Sequence, residues 1–404
     1  MLLCTAQHSS FSKILAIHSS VRTLNSMPKS LTKLWLRGLK RLVATQIAPL
    51  RAPKTRAPAL PVRAKAAKPA VTKPKISGKS RVTRESRVRP RASAWAVGKW
   101  SRSFHSAPPA AGRFVNHLAY ALYLPSGASL TDMPLVVMMH GCQQSADEFA
   151  QGTRINLLAD RFGFAVLYPE QSKTAHVHRC WHWYEDSANS GGGEAAAVVS
   201  LVREMVALHH FDSERIYLAG MSAGAGLAAM LAVTYPSLFA AVGLHSGVVF
   251  GDANSAIGAM DAMRRGSRRD PVGLIDAAVD VAHYPGMPAI IVHGELDSVV
   301  SKTNAEQLTT EFLRLNRFID ANGTWRIGER REEIQADCTV TDYVKGGRRV
   351  IKTCVVRGLG HAWSGGDDTV QFHSSKGPDA SAMLWEFFKY QRRVQSPVGV
   401  ETLV

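Results

Sequence analysis

From about residue 113 onward, short apolar runs recur along the chain, at 117–124, 134–140, 164–168, 215–219, 240–245, 289–293 and 352–357. Stretches with helical periodicity separate most of them, at 145–160, 194–209, 223–235, 301–315 and 380–392. The run Met133 to Met139 is apolar at both parities, as a strand buried on both faces must be. Strands alternating with helices predict an α/β domain, a mostly parallel sheet covered on both sides. A hairpin is predicted where Cys338–Val344 and Arg348–Val356 meet at Lys345-Gly346-Gly347.

The N-terminal quarter reads differently. Over 31–42, Leu31, Leu34, Trp35, Leu39 and Leu42 share one helical face, with Lys33, Arg37, Lys40 and Arg41 largely elsewhere. That is a short cationic amphipathic helix, suited to an anionic or apolar surface. Residues 51–92 run through Arg, Lys, Pro, Ala and Ser with almost no large apolar side chain, so they cannot bury a core and are expected to be disordered. The expected organisation is a basic region over 1–105, a catalytic domain over 113–393 and a tail over 394–404.

Charge sharpens this division. Residues 1–100 hold 22 of the 49 Lys+Arg and one acid, Glu85, while the remainder holds 27 basic and 31 acidic residues. The net +17 therefore belongs to the N-terminal quarter and says nothing about the substrate of the globular part. The basic stretch 31–92 is a candidate contact for an anionic surface or nucleic acid, with a solvated linker as the plainer reading. No run of 18 apolar residues occurs, so no membrane-spanning helix is expected. Met1-Leu2-Leu3-Cys4 do not lead into an apolar segment long enough for a secretory signal, and Met27 is an alternative start.

Setting Cys4 aside leaves Cys142, Cys180, Cys338 and Cys354, an even number that fits an oxidising compartment but allows three pairings. A three-residue hairpin loop would set Cys338 directly opposite Cys354, where a disulfide is expected; two packed free thiols are the alternative.

Chemistry in an open α/β sheet belongs at the carboxyl ends of the strands. Three such ends carry suggestive groups. Gly220-Met221-Ser222-Ala223-Gly224 joins an apolar strand to a small-residue helix, a spacing that turns the backbone tightly and exposes a serine. Glu295-Leu296-Asp297 follows the strand ending in His293, and Gly358-Leu359-Gly360-His361 follows the strand ending near Arg357. A serine hydroxyl is a poor nucleophile at neutral pH, so His361 would take its proton and Asp297, with Glu295 as rival, would orient the imidazole. The strand ending in His140-Gly141-Cys142 supplies an anion site: the backbone N–H groups of Cys142 and Ala223 are the expected oxyanion donors.

The order Ser222, Asp297, His361 is that of the α/β-hydrolases. With His140-Gly141-Cys142-Gln143-Gln144-Ser145, Gly152-Thr153-Arg154, Tyr168-Pro169-Glu170-Gln171, Arg179-Cys180-Trp181-His182-Trp183, Gly191-Gly192-Gly193-Glu194, His245-Ser246-Gly247, His293-Gly294 and Gly360-His361-Ala362-Trp363-Ser364-Gly365-Gly366, the chain resembles the poly(3-hydroxybutyrate) depolymerase family of esterases over roughly 115–392. That family also takes in feruloyl and acetylxylan esterases. The resemblance implies an α/β-hydrolase fold, a Ser222-Asp297-His361 triad, ester substrates of hydroxyalkanoate or plant cell-wall type, no metal or cofactor, and an extracellular or periplasmic location. His182 replaces an expected asparagine, and Glu295 an expected aspartate. Trp181, Trp183 and Trp363 lie near the proposed chemistry and are candidate substrate contacts, with core packing as the other reading. Cys142–Cys180 is a candidate disulfide between the oxyanion loop and this aromatic loop.

Overall fold

The computed structural model of the protein describes residues 96–107, 116–127, 131–185 and 193–393. The helix expected at 31–42, the basic segment 51–92 and the tail 394–404 lie outside the described residues. Ten strands form one sheet in the order β1-β2-β4-β3-β5-β6-β7-β10-β9-β8. Its parallel centre consists of β4 (Ala165–Glu170), β3 (Leu135–Met139), β5 (Ile216–Met221), β6 (Ala241–His245), β7 (Ala289–Gly294) and β10 (Arg348–Val356). Antiparallel strands flank it: β1 (Lys99–Ala107) and β2 (Asn116–Leu124) on one side, β9 (Cys338–Lys345) and β8 (Glu329–Ile334) on the other.

Every residue of β3, β4, β5, β6 and β7 is buried, the outcome expected of unbroken apolar runs between two helical layers. The helices are α1 (Ala146–Thr153), α2 (Ile155–Phe162), α3 (Gly193–His209), α4 (Ala223–Thr234), α5 (Ala256–Arg265), α6 (Pro271–Ala278), α7 (Thr303–Leu315) and α8 (Ala380–Phe388). The segment read as one helix over 145–160 is two, because Arg154 adopts φ 57° and breaks the ladder. No described helix is long and apolar enough to cross a membrane.

Two expectations are corrected. The folded domain starts before residue 113: β1 pairs with β2 through nine residue pairs, from Lys99↔Leu124 to Ala107↔Asn116. Residues 99–105 therefore belong to the sheet and not to the basic region. Cys338 and Cys354 are free thiols, both buried. The hairpin turns through Gly346 and Gly347 alone, and the register shifts again between Arg349 and Ile351. Together these two slips pair Cys354 with Val340 and Cys338 with Val356. Each thiol lies two residues along the strand from the position opposite the other.

Glu311, on α7, is fully buried. One carboxyl oxygen accepts from the Phe250 N–H at 3.2 Å and the other has no hydrogen-bond partner. Burial, reinforced by Asp252, raises its pKa well above the carboxylate range. A raised folded-state pKa gives stability that is complete below the unfolded value, near about 4.3, and is lost as pH climbs toward the folded one. The urea midpoint of the wild type is therefore predicted to fall relative to Glu311→Gln between pH 5 and pH 9. Parallel midpoints across that range would refute a neutral Glu311.

Candidate active site

Ser222 sits between β5 and α4 with φ 55° and ψ −121°. A non-glycine residue there is strained, and such strain persists only where the surroundings fix it. They do so by close approach. A Cβ on Gly220 would lie 2.4 Å from the Gly224 carbonyl oxygen, and one on Gly224 would lie 2.2 Å from that of Met139. Side chains two residues before and after the serine are thus excluded, which is why the sequence has glycine at both. The Ser222 N–H donates to the His245 carbonyl at 3.0 Å, pinning the turn to the end of β6.

Asp297 follows β7, and its carboxylate is fully occupied. One oxygen accepts from the Val299 and Val300 N–H groups, both at 2.9 Å; the other accepts from His361 Nδ1 at 2.7 Å. Burial alone would raise this carboxyl. The His361 imidazole, His293 and the Val300 N–H outweigh it and hold the pKa at about 2. With Nδ1 donating to Asp297, His361 presents Nε2 as a proton acceptor. Glu295, the rival acid, accepts instead from the Gly358 N–H at 3.1 Å. The acid and histidine loops are laced together by Glu295 N–H to Val356 O and Leu296 N–H to Leu359 O, each 2.9 Å.

Two buried histidines, absent from the expected roles, frame this pair. His245 Nε2 accepts from the Ser364 N–H at 3.1 Å, and its ring stacks on Trp363 at 4.9 Å. It therefore bridges the Ser222 turn and the loop carrying His361. His140 Nε2 accepts from the Gln171 N–H at 3.0 Å while Nδ1 meets the Gly141 carbonyl at 2.8 Å, securing the end of β3. Burial drives both well below the usual imidazole range, to about 3 for His245 and about 4 for His140, so they stay neutral and structural. Only their place at strand ends in the sequence hinted at this.

The loop after β3 lies against Ser222: a Cβ on Gly141 would stand 3.5 Å from Ser222 Cβ. Gln144 folds back to accept the Gly141 N–H at 2.8 Å, and the Gln143 N–H donates to His178 O at 2.6 Å. Cys142, between them, is disulfide-bonded to Cys180, 38 residues on. Ala223 opens α4, where first-turn N–H groups have no acceptor within the helix. Reducing this bridge, or replacing both cysteines by serine, is predicted to cost about 3–4 kcal/mol from loop entropy. An unchanged melting temperature under reductant would rule that out.

Glu170, at the end of β4, is the hub behind the loop. Its carboxylate accepts from Arg102 of β1 and Arg179 of the disulfide loop, each at 2.9 Å, and from the Ala146 N–H at 2.8 Å. Burial would raise its pKa, but the Ala146 N–H and the two guanidinium groups lower it instead.

The tryptophan expectation is corrected. Trp181 and Trp363 have no exposed surface and so no face to offer a substrate. The Trp181 indole donates to His140 O at 3.0 Å, and Trp363 packs edge-on to Phe149 and donates to Ser381 Oγ at 3.2 Å. Trp183 is all but buried over Gly226 of α4. All three support the site from beneath. His182 is likewise committed, with Nδ1 at 2.6 Å from Glu194.

A parallel sheet with a strained serine turn at one strand end, and a buried aspartate–histidine pair at two others, defines an α/β-hydrolase. Acetyl xylan esterase from Aspergillus awamori shares the fold, with a TM-score of 0.54 at 20% identity over 72% of this chain and 99% of that one. The chain belongs to the Esterase PHB depolymerase family, whose pattern matches residues 118–336, more than half of its length. It is 28% identical to poly(3-hydroxyalkanoate) depolymerase C of Paucimonas lemoignei over 59% of this chain and 57% of that protein. It is 36% identical to feruloyl esterase B of Thermothelomyces thermophilus over 33% of this chain and 46% of that protein. The chain thus spans about half the length of the curated relatives it matches.

Proposed function

We propose that the protein is a serine carboxylic-ester hydrolase acting through an acyl-enzyme on Ser222. The observation that carries this reading is the 2.7 Å Asp297–His361 hydrogen bond at the sheet edge that also presents the strained Ser222. Ser222 Oγ attacks the ester carbonyl while His361 Nε2 takes its proton, and the imidazolium so formed is stabilised by a carboxylate ionised above pH about 2. The negative charge on the carbonyl oxygen falls to the Cys142 and Ala223 N–H groups. His361 returns the proton to the leaving alcohol; water, activated by the same histidine, then releases the acid. Hydroxyalkanoate and plant cell-wall esters are the proposed substrates, by likeness to the depolymerase and the feruloyl esterase. Mass mapping of a fluorophosphonate adduct tests the nucleophile: the label belongs on Ser222, and labelling elsewhere overturns the assignment.

The 22 Lys+Arg of residues 1–100 support a second, compatible role, attachment of the enzyme to an anionic surface or nucleic acid. Salt-sensitive retention of the full chain, but not of residues 96–404, on anionic vesicles or DNA would bear it out. Equal retention of both would remove it.

A further inference from the structure

We propose that the cleft beside the oxyanion loop is a subsite for an acidic ester chain, with Lys173 receiving a free carboxylate of the substrate. This rests on the ester-hydrolase reading and adds a substrate class to it. The cleft measures about 390 Å³, within the size range of small-molecule sites. One wall is the oxyanion loop running into α1; the other is the loop after β4. The disulfide Cys142–Cys180 and the Gln143–His178 backbone hydrogen bond join the two walls. Gln144 lines the cleft and holds the Gly141 N–H, and Gly141 in turn lies against Ser222. Gly141 thus separates Gln144, in the cleft wall, from Ser222.

Its chemistry is one-sided. Among the described residues, Gln143, Lys173, His178 and Arg179 bring polar or cationic side chains, Gln144 spends its NH2 on the Gln371 carbonyl at 3.5 Å, and Glu148 is the carboxylate of the lining. One oxygen of that carboxylate accepts from the N–H and hydroxyl of Ser145, both at 3.0 Å, in the capping box of α1, which holds it at the helix start. Arg179 is neutralised by Glu170, although its Nε is buried without an acceptor. Lys173 is exposed and enters no ion pair with a described residue. Among the described residues of the lining, Val177 is the one aliphatic side chain. Such a wall suits a ligand rich in acceptors, with an ester carbonyl facing the Gln143 amide and a carboxylate facing the Lys173 ammonium. A bare aromatic or alkyl group would strip water from these donors and return no hydrogen bond.

The test compares kcat/KM for a linear 3-hydroxybutyrate trimer as the free acid, for its methyl ester, and for p-nitrophenyl acetate. Wild type, Lys173→Gln and Lys173→Glu are measured at low and high salt. An exposed ion pair of this kind is worth about three-fold, so Lys173→Gln should cost the free acid about that much and charge reversal about ten-fold. Both losses should shrink in high salt. The methyl ester and p-nitrophenyl acetate should stay within about two-fold of wild type in every variant, on the same scale. An unchanged ratio of free acid to methyl ester in Lys173→Glu overturns the subsite, as does an equal loss on all three substrates. Absence of turnover by the wild type on every ester would instead fail the hydrolase reading itself.

Discussion

Ser222→Ala is expected to lower ester turnover by at least about 10⁴-fold while leaving the fold intact. The hydroxyl is the only atom removed, and no hydrogen bond of the turn depends on it. The turn is held by the Ser222 N–H on His245 O and by the Ser222 carbonyl, which receives the Gly226 N–H at 3.0 Å. The comparison with Ser222→Gly makes the test sharper. At φ 55° and ψ −121° any side chain carries a backbone strain of roughly 1–3 kcal/mol, which glycine relieves. That variant should be equally inactive yet at least as stable as the alanine form. Initial rates on p-nitrophenyl butyrate and urea denaturation decide both points. A serine variant that keeps its turnover would sink the mechanism; a glycine variant less stable than alanine would show that the strain argument is wrong.

Asp297→Asn is the second large effect, a loss of about 10⁴-fold in kcat with little change in KM. The amide is isosteric, but its NH2 cannot accept from His361 Nδ1, so the imidazole is driven to the tautomer with Nε2 protonated. A histidine in that state cannot take the serine proton. The pH behaviour separates this from general damage. Because the Asp297 pKa is lowered to about 2, the carboxylate is ionised throughout the working range, and the acid limb of the pH–rate profile cannot be its own. The stability it contributes is complete above its unfolded value near 3.9 and lost only as pH falls from there toward 2. Asp297→Asn should therefore destabilise the fold at pH 7 and lose that penalty near pH 2. Glu295→Gln is the control, since its carboxylate serves only the Gly358 N–H and should leave kcat within a few-fold.

The central strands and the residues at their ends were legible because each depends on local pattern. An unbroken apolar run marks a doubly buried strand, and a Gly-x-Ser-x-Gly turn marks the place where a side chain would collide with a neighbouring carbonyl. What escaped depends on partners far along the chain. β1 reads Lys-Trp-Ser-Arg-Ser-Phe-His-Ser-Ala and closes a long basic stretch, so its charge masked its alternation. β8 reads Glu-Arg-Arg-Glu-Glu-Ile and is exposed throughout, an edge strand whose charges discourage further pairing. α5 and α6 are short helices started by local caps, Ser255 and Asp270, and too brief to stand out from the surrounding loops. The cysteine hairpin failed on two one-residue slips, the shorter turn and the bulge after Arg349, which together turn opposition into offset. The tryptophans were read as candidate substrate contacts, but their burial is set by packing against Phe149, Gly226 of α4 and His140, and no linear pattern records that.

The position of Arg102 has a mechanical meaning. The strand that leads out of the N-terminal quarter is also the one that reaches the hub behind the oxyanion loop, and Arg102 is its fourth residue. A pull from the N-terminal region would meet the Val97 N–H on Asp160 and the Gly98 N–H on the Tyr123 hydroxyl before it reached Lys99. Peeling would unzip Lys99↔Leu124, Trp100↔Tyr123 and Ser101↔Leu122 before reaching Arg102. The next pair to give way takes one guanidinium from Glu170, which keeps Arg179 and the Ala146 N–H, while Asp297 and His361 follow strands on the other side of β5. The strand therefore couples the N-terminal region to Glu170, on the side of the sheet away from Asp297 and His361.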